Sequence, residues 1–156
     1  HPRRFAEVIE QAGARAGVDP QLLLAVARQE SRFSPGVHSG VGAVGLLQLM
    51  PATARQVARK LGTGTSDLQL TSDPAHNMTL GTAYLREVLD KFDNSIPLAA
   101  AAYNAGPHRV TQWLTEIGDP RTSAVDMIDW MPERRRNIYQ GGYHGDLVVT
   151  MKTISG

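Results

Sequence analysis

The 156-residue sequence predicts an all-α domain. Three observations carry that expectation. Apolar residues recur at helical spacing as far as Trp113, cap residues followed by proline open segment after segment, and eighteen alanines run through them. The elements follow in order. Phe5, Val8, Ile9, Ala12 and Ala16 form one helical face over 3–16, and Gly17 is a natural stop. Asp19-Pro20 is an N-cap with proline at the first helical position, opening a helix to about Arg32. Residues 34–50, rich in Gly, Ser and Val, read as a loop with short turns. Pro51 starts a helix through Val57 and Leu61 that ends at Gly62. Residues 63–73 read as a polar connector. Asp73-Pro74 repeats the cap signature and opens the longest helix, with Met78, Leu80, Leu85, Val88, Leu89 and Phe92. Ser95-Ile96-Pro97 caps an Ala-rich helix to Asn104, stopping near Gly106. Pro107 begins a short one with Val110, Trp113 and Leu114. Residues 117–125 are again a polar connector, and the tail from Gly141 shows no clear period.

Length and composition bound the rest. Hydrophobic residues make up 42%, ample for a core, and the length predicts a single domain over 1–156. Sixteen Lys+Arg against fifteen Asp+Glu leave a net charge of +1, which argues against nucleic acid as a partner. Without cysteine there is no disulfide, thiolate zinc site or Cys nucleophile. No run of eighteen apolar residues is present, so no integral membrane segment is expected. The chain opens at His1-Pro2-Arg3-Arg4 without an initiator Met or signal-like stretch, as a trimmed piece would.

One acid sits where an apolar residue belongs. At about 100° per residue, Leu22, Leu23, Val26, Ala27 and Phe33 fall within one arc, with Glu30 in its middle. Gln21, Arg28 and Arg32 lie opposite. A carboxylate on a core-facing stripe is disfavoured unless it is paired, hydrogen-bonded or neutral. Desolvation raises its pKa and makes it a proton donor near neutral pH. The bland alternative is a structural acid held by an Arg or by backbone donors, or a last-turn residue that reaches water.

Two further segments carry candidate chemistry. Gly40-Val41-Gly42-Ala43-Val44-Gly45-Leu46-Leu47-Gln48-Leu49-Met50-Pro51 combines three glycines, which allow close approach of backbone to a ligand, with an amide suited to hydroxyl and amide groups. An ordinary turn stabilised by Gln48 fits the same residues. Ala102-Tyr103-Asn104-Ala105-Gly106 ends a helix with an aromatic hydroxyl and an amide, or is simply a C-cap with Tyr103 in the core.

Glu30-Ser31-Arg32-Phe33, Gly42 to Ala54, Asn77-Met78-Thr79-Leu80-Gly81-Thr82-Ala83-Tyr84-Leu85 and Ala102 to Gly106, in that order, resemble the signature of the soluble lytic transglycosylases. That family is lysozyme-like and related to goose-type lysozyme. The resemblance covers roughly residues 5–116. It implies an all-α, lysozyme-like domain with a cleft lined by Glu30, the 39–50 loop and Tyr103.

It also implies an activity. Such enzymes cleave the β-1,4 bond between N-acetylmuramic acid and N-acetylglucosamine of peptidoglycan, leaving a 1,6-anhydromuramoyl end without using water. By similarity Glu30 is the sole catalytic carboxyl, first acid and then base. Ser39 matches a serine near the glutamate and the reacting sugar. Gln48 and Met50 match cleft residues that contact saccharide, with Thr53 at the start of the helix behind them. Tyr103 matches a tyrosine whose hydroxyl approaches the carboxyl, with Asn104 beside it. Ordinary glycosidases need a second carboxylate, and neither Asp19 nor Asp67, the nearest acids before and after Glu30, belongs to a matched motif. A C6 hydroxyl of the substrate, already placed against C1, makes an activated water unnecessary.

One stretch departs from the family pattern. Asp129-Trp130-Met131-Pro132-Glu133-Arg134-Arg135-Arg136-Asn137-Ile138-Tyr139 is several residues shorter than its counterpart and reverses its Glu/Pro order. Glu133 is the candidate for the family's cleft glutamate. Arg134 to Arg136 read as a solvated face or ion-pair anchor, and Trp113 and Trp130 as core. The five histidines are scattered without ligand spacing, so no metal or cofactor is expected. The expected partner is the peptidoglycan strand, in the periplasm or cell envelope, with an envelope complex as a further candidate. Two alternatives stay open: hydrolysis on the same fold, and a non-catalytic glycan-binding module of an envelope machine.

Overall fold

A computed structural model describes residues 5–121. The chain divides into two compact units, residues 1–87 and 88–156, with the boundary inside one helix. The named elements among the described residues are all helices, in agreement with the predicted class.

The first unit begins with α1 (Ala6–Ala16) and α2 (Pro20–Ser31). Gly17, at φ 68°, ends α1 in the left-handed conformation that glycine adopts without strain. Gly13 lets the α1–α2 turn close: its carbonyl accepts from Val18 N at 3.0 Å, and a Cβ there would meet Val18 O at 2.6 Å. After the 34–50 loop come α3 (Pro51–Lys60), α4 (Asp67–Ser72) and α5 (Pro74–Lys91). Ala54, Val57 and Ala58 of α3 pack with Val44 and Leu49 of the loop, Leu70 of α4 and Leu80 of α5. The loop is therefore built into the core rather than laid over it.

The 63–73 connector needs correction, because it contains α4. Ser66 Oγ accepts from Gln69 N, an N-cap that satisfies one of the donors exposed at a helix start. Six residues are too few for apolar periodicity to register, and Leu70 is the one buried side chain of this helix. The cap at Asp73 behaves as expected, its Oδ1 accepting from His76 N at 3.1 Å.

In the second unit, α6 (Ile96–Ala105) and α7 (Pro107–Glu116) pack together across Gly106, whose φ is 96°. Ser95 Oγ caps α6 through Leu98 N, and the helix buries Leu98 through Tyr103. Trp113 of α7 is fully buried, the core role expected of it. Arg121 donates to Phe92 O at 3.3 Å and to Asp119 Oδ2 at 2.7 Å, and this pairing holds the Asp119 carboxyl below its usual range. No helix among the described residues is long and apolar enough to cross a membrane. Trp130, Glu133, the Arg134 to Arg136 run and the tail from Gly141 lie outside the described residues.

Candidate active site

Glu30 is placed by the same periodicity that made it conspicuous. The Asp19 side chain accepts from Gln21 N at 2.9 Å and fixes the start of α2. Four- and eight-residue steps from Leu22 then bring Val26 and Glu30 onto the buried stripe, while Gln21, Arg28 and Arg32 are exposed. Glu30 is 3% exposed, and no other acid among the described residues is buried. Its Oε1 is sealed from solvent and has no hydrogen-bond partner among the described residues. Burial pushes its pKa up to about 8 from the usual carboxyl value. The bland alternative required an Arg or backbone donors to hold a charge at this point. What is found instead is a carboxyl whose Oε1 meets neither among the described residues, in surroundings that favour its protonated form.

The chain leaves α2 abruptly. Arg32 and Phe33 both have positive φ, 52° and 63°, a pair of left-handed non-glycine residues. Each costs about 1–2 kcal/mol, and burial of the Phe33 ring, 7% exposed, recovers a similar amount. The turn ends α2 one residue after Glu30, which leaves the acid in the last turn of the helix. Ser31 Oγ donates to Ala27 O, filling an acceptor inside the helix.

From there a hydrogen-bonded path leads into the 37–50 loop. Ser34 N donates to Ser31 O at 3.0 Å and Val37 N to Ser34 O at 3.4 Å. Val37 O accepts from Gly45 N at 2.9 Å and from Gln48 Nε2 at 3.0 Å. Val44 bridges antiparallel to both His38 and Leu49. Gln48 takes φ 48° to turn the chain between these bridges, and its Nε2 also donates to Gly45 O at 2.9 Å. Both amide protons of Gln48 are thus directed at the loop's own carbonyls, and Oε1 is the atom left for a ligand.

The other candidates divide between the units. Ser39 Oγ accepts from Ala43 N at 2.9 Å, which stabilises the tight turn closed by Gly42 N on Ser39 O, and its hydroxyl proton remains to be donated. Met50 precedes α3, is 43% exposed, and carries its methyl to within 3.8 Å of where a Gly42 Cβ would stand. Thr53 is half-buried in the first turn of α3. Glu30, Ser39, Gln48 and Met50 therefore belong to one unit and one bonded segment. Tyr103, buried, and Asn104, half-buried, occupy the last turn of α6 in the other unit. Glu133 lies outside the described residues. No group of three or more His, Cys, Asp or Glu that could hold a metal occurs among the described residues.

Two residues that hold the loop were quoted in the sequence only as part of a motif. Asn77 is fully buried on α5 and makes three bonds: Oδ1 accepts from Leu47 N at 2.9 Å, and Nδ2 donates to Val44 O and Leu70 O, each at 3.0 Å. Gly81, one turn along, has Leu47 against it; a Cβ there would collide with the Leu47 side chain. The signal was the four-residue spacing, which sets an amide and a missing side chain on one helix face.

The family model described as the Transglycosylase SLT domain matches residues 7–125. The soluble lytic murein transglycosylase of Escherichia coli (strain K12) is 36% identical over 132 residues, covering 84% of this chain and 20% of its own length. The transglycosylase of Enterobacteria phage PRD1 is 39% identical over 103 residues, covering 66% of this chain and 35% of its own. Among solved structures, the 70 kDa soluble lytic transglycosylase from Escherichia coli superposes with a TM-score of 0.77 at 32% identity, over 96% of this chain and 24% of that one. An inactive glutamate-to-glutamine mutant of the lytic transglycosylase Slt from Pseudomonas aeruginosa gives 0.73 at 33% identity, over 94% and 24%. The chain spans about a fifth of the length of the first of these curated relatives.

Proposed function

The chain belongs to the transglycosylase SLT family, with its all-α, lysozyme-like fold, and from that membership we propose that it is a peptidoglycan lytic transglycosylase in which Glu30 is the single acid–base group. The observation that carries the reading is the buried carboxyl of Glu30 in the last turn of α2, whose Oε1 has no hydrogen-bond partner among the described residues. In the proposed reaction Glu30 gives its proton to the glycosidic oxygen between N-acetylmuramic acid and N-acetylglucosamine as the C1–O bond breaks. The carboxylate so formed takes the proton of the muramoyl C6 hydroxyl while that oxygen bonds to C1. Glu30 is returned to its starting state and the product is a 1,6-anhydro end, with no water consumed.

Several observations support this route. A second buried carboxylate, which hydrolytic glycosidases use as nucleophile or base, is missing among the described residues. The loss of activity in the glutamate-to-glutamine relative is consistent with a carboxyl of this kind doing the chemistry. Ser39, Gln48 and Met50 are proposed as saccharide contacts on the tied loop, and Tyr103, Asn104 and Glu133 are proposed as saccharide contacts on the family resemblance alone. The substrate lies outside the cytoplasm, so the place of action proposed is the periplasm or envelope.

Glu30→Gln tests the assignment. It keeps shape and burial and removes the transferable proton. Binding to isolated peptidoglycan is expected to persist while turnover falls by about 100- to 10,000-fold. Undiminished cleavage by the folded variant refutes the role of Glu30.

A further inference from the structure

We propose that Asn77 and Gly81 of α5 are positioning residues for substrate, setting the height of the loop that presents Gln48 and Met50. The inference rests on the reading of that loop as a glycan contact. It deepens that reading by assigning the loop's position to a helix outside it.

Asn77 contributes one acceptor and two donors, and all three are used on backbone. Two of the three partners, Val44 O and Leu47 N, flank Gly45. Gly45 itself lies hard against Asn77, so that a Cβ there would overlap both the Asn77 amide and Leu70 O. The loop backbone is thus as close to α5 as an amide allows. Gly81 completes the seat by admitting the fully buried Leu47 side chain between loop and helix. On the loop's other side Gln48 Nε2 ties to Val37 O and Gly45 O. Gly45 is therefore held from two directions, by Asn77's neighbouring bonds and by Gln48. A shift of the loop away from α5 carries Gln48 with it, because Gln48 is bonded to the residue that moves.

Glu30 is not bonded to Asn77 or Gly81, and its raised pKa has burial as its cause. Loosening the seat is therefore expected to weaken glycan binding without altering the proton donor. That separates a positioning role from general destabilisation.

The variants are Asn77→Ala, Asn77→Asp and Gly81→Ala, assayed as folded protein on purified peptidoglycan. Asn77→Asp retains the side-chain shape and the acceptor for Leu47 N, but turns an oxygen on two carbonyls. Gly81→Ala leaves all three Asn77 bonds to be made and displaces Leu47. KM is expected to rise by about tenfold, the equivalent of one lost buried hydrogen bond, with kcat and its alkaline pH limit near those of the parent. If Asn77→Ala does not fold, Gly81→Ala and Asn77→Asp carry the test. Folded variants with the parent's KM overturn the proposal, and so does a drop in kcat with KM unchanged. Failure of the underlying reading looks different: the parent chain does not turn over peptidoglycan, or Glu30→Gln cleaves it undiminished.

Discussion

Gln48 Nε2 donates to Val37 O at 3.0 Å across eleven positions of sequence, closing the 37–50 loop onto the strand of chain that leaves the helix of Glu30. The same nitrogen reaches Gly45 O at 2.9 Å. One side chain therefore fixes the loop's two limbs, at a residue that is itself in the left-handed region.

Gln48→Glu is expected to be worse than Gln48→Ala. The alanine variant removes one of two donors from each carbonyl and leaves a backbone N–H on both, at 2.9 Å to Val37 O and 3.1 Å to Gly45 O, whereas the glutamate directs a carboxylate oxygen at both. A loss on the order of 2 kcal/mol or more is expected for the glutamate variant, read from the urea midpoint at pH 7. Acidification is expected to narrow the gap, since a protonated Glu can donate one of the two bonds.

The pH–rate profile should be set on its alkaline side by Glu30. The acid must be protonated to give up a proton, and its pKa in the folded chain is about 8. kcat/KM is therefore expected to hold from neutral pH to about 8 and then to fall tenfold per unit. An alkaline limit below pH 6, with the protein still folded, contradicts the assignment.

The same shift has a consequence for stability. A carboxyl with a folded pKa above its unfolded value binds more protons when folded, so stability declines as pH rises from about 4.5 to about 8. At pH 7 the cost is about 3 kcal/mol. Glu30→Gln removes it. The variant is expected to melt several degrees above the parent at pH 7 and to show no advantage below pH 4.5. Calorimetry at the two pH values reads both. An inactive variant that is also more stable is the trade expected of a functional acid.

Arg32, at φ 52°, occupies the C-cap of α2 where glycine is the unstrained choice. Arg32→Gly is expected to be more stable than Arg32→Ala by about 1 kcal/mol, because both lose the same side chain and only glycine relieves the left-handed strain. Chemical denaturation checks it. Phe33→Gly relieves a similar strain but removes a buried ring, and is expected to destabilise.

Much of this was legible in the sequence, and the misses have physical reasons. Helix starts at Pro20, Pro51, Pro74 and Pro107 follow from proline's fixed φ and missing donor, which act within one turn. Glu30 could be placed because burial on an amphipathic helix is a local periodicity. The short helix at Asp67–Ser72 left only its cap, Ser66 with Gln69, as a trace. Gln48 was read both as a saccharide contact and as the stabiliser of an ordinary turn; which carbonyls its amide ties could not be read, because they are brought back by folding, here at Val37 and Gly45. The work of Asn77 was further from view still, since two of its partners lie 30 and 33 positions away. Pattern predicts what a residue faces when its neighbours in sequence decide it, and fails where distant backbone does.

The central claim is that the substrate's own C6 hydroxyl, rather than water, completes the reaction started by Glu30. Digestion of purified peptidoglycan in ¹⁸O-labelled water, followed by mass spectrometry of the muramoyl ends, tests it directly. The predicted products carry no label and are lighter by one water than reducing ends. Labelled reducing ends contradict the account and identify a hydrolase.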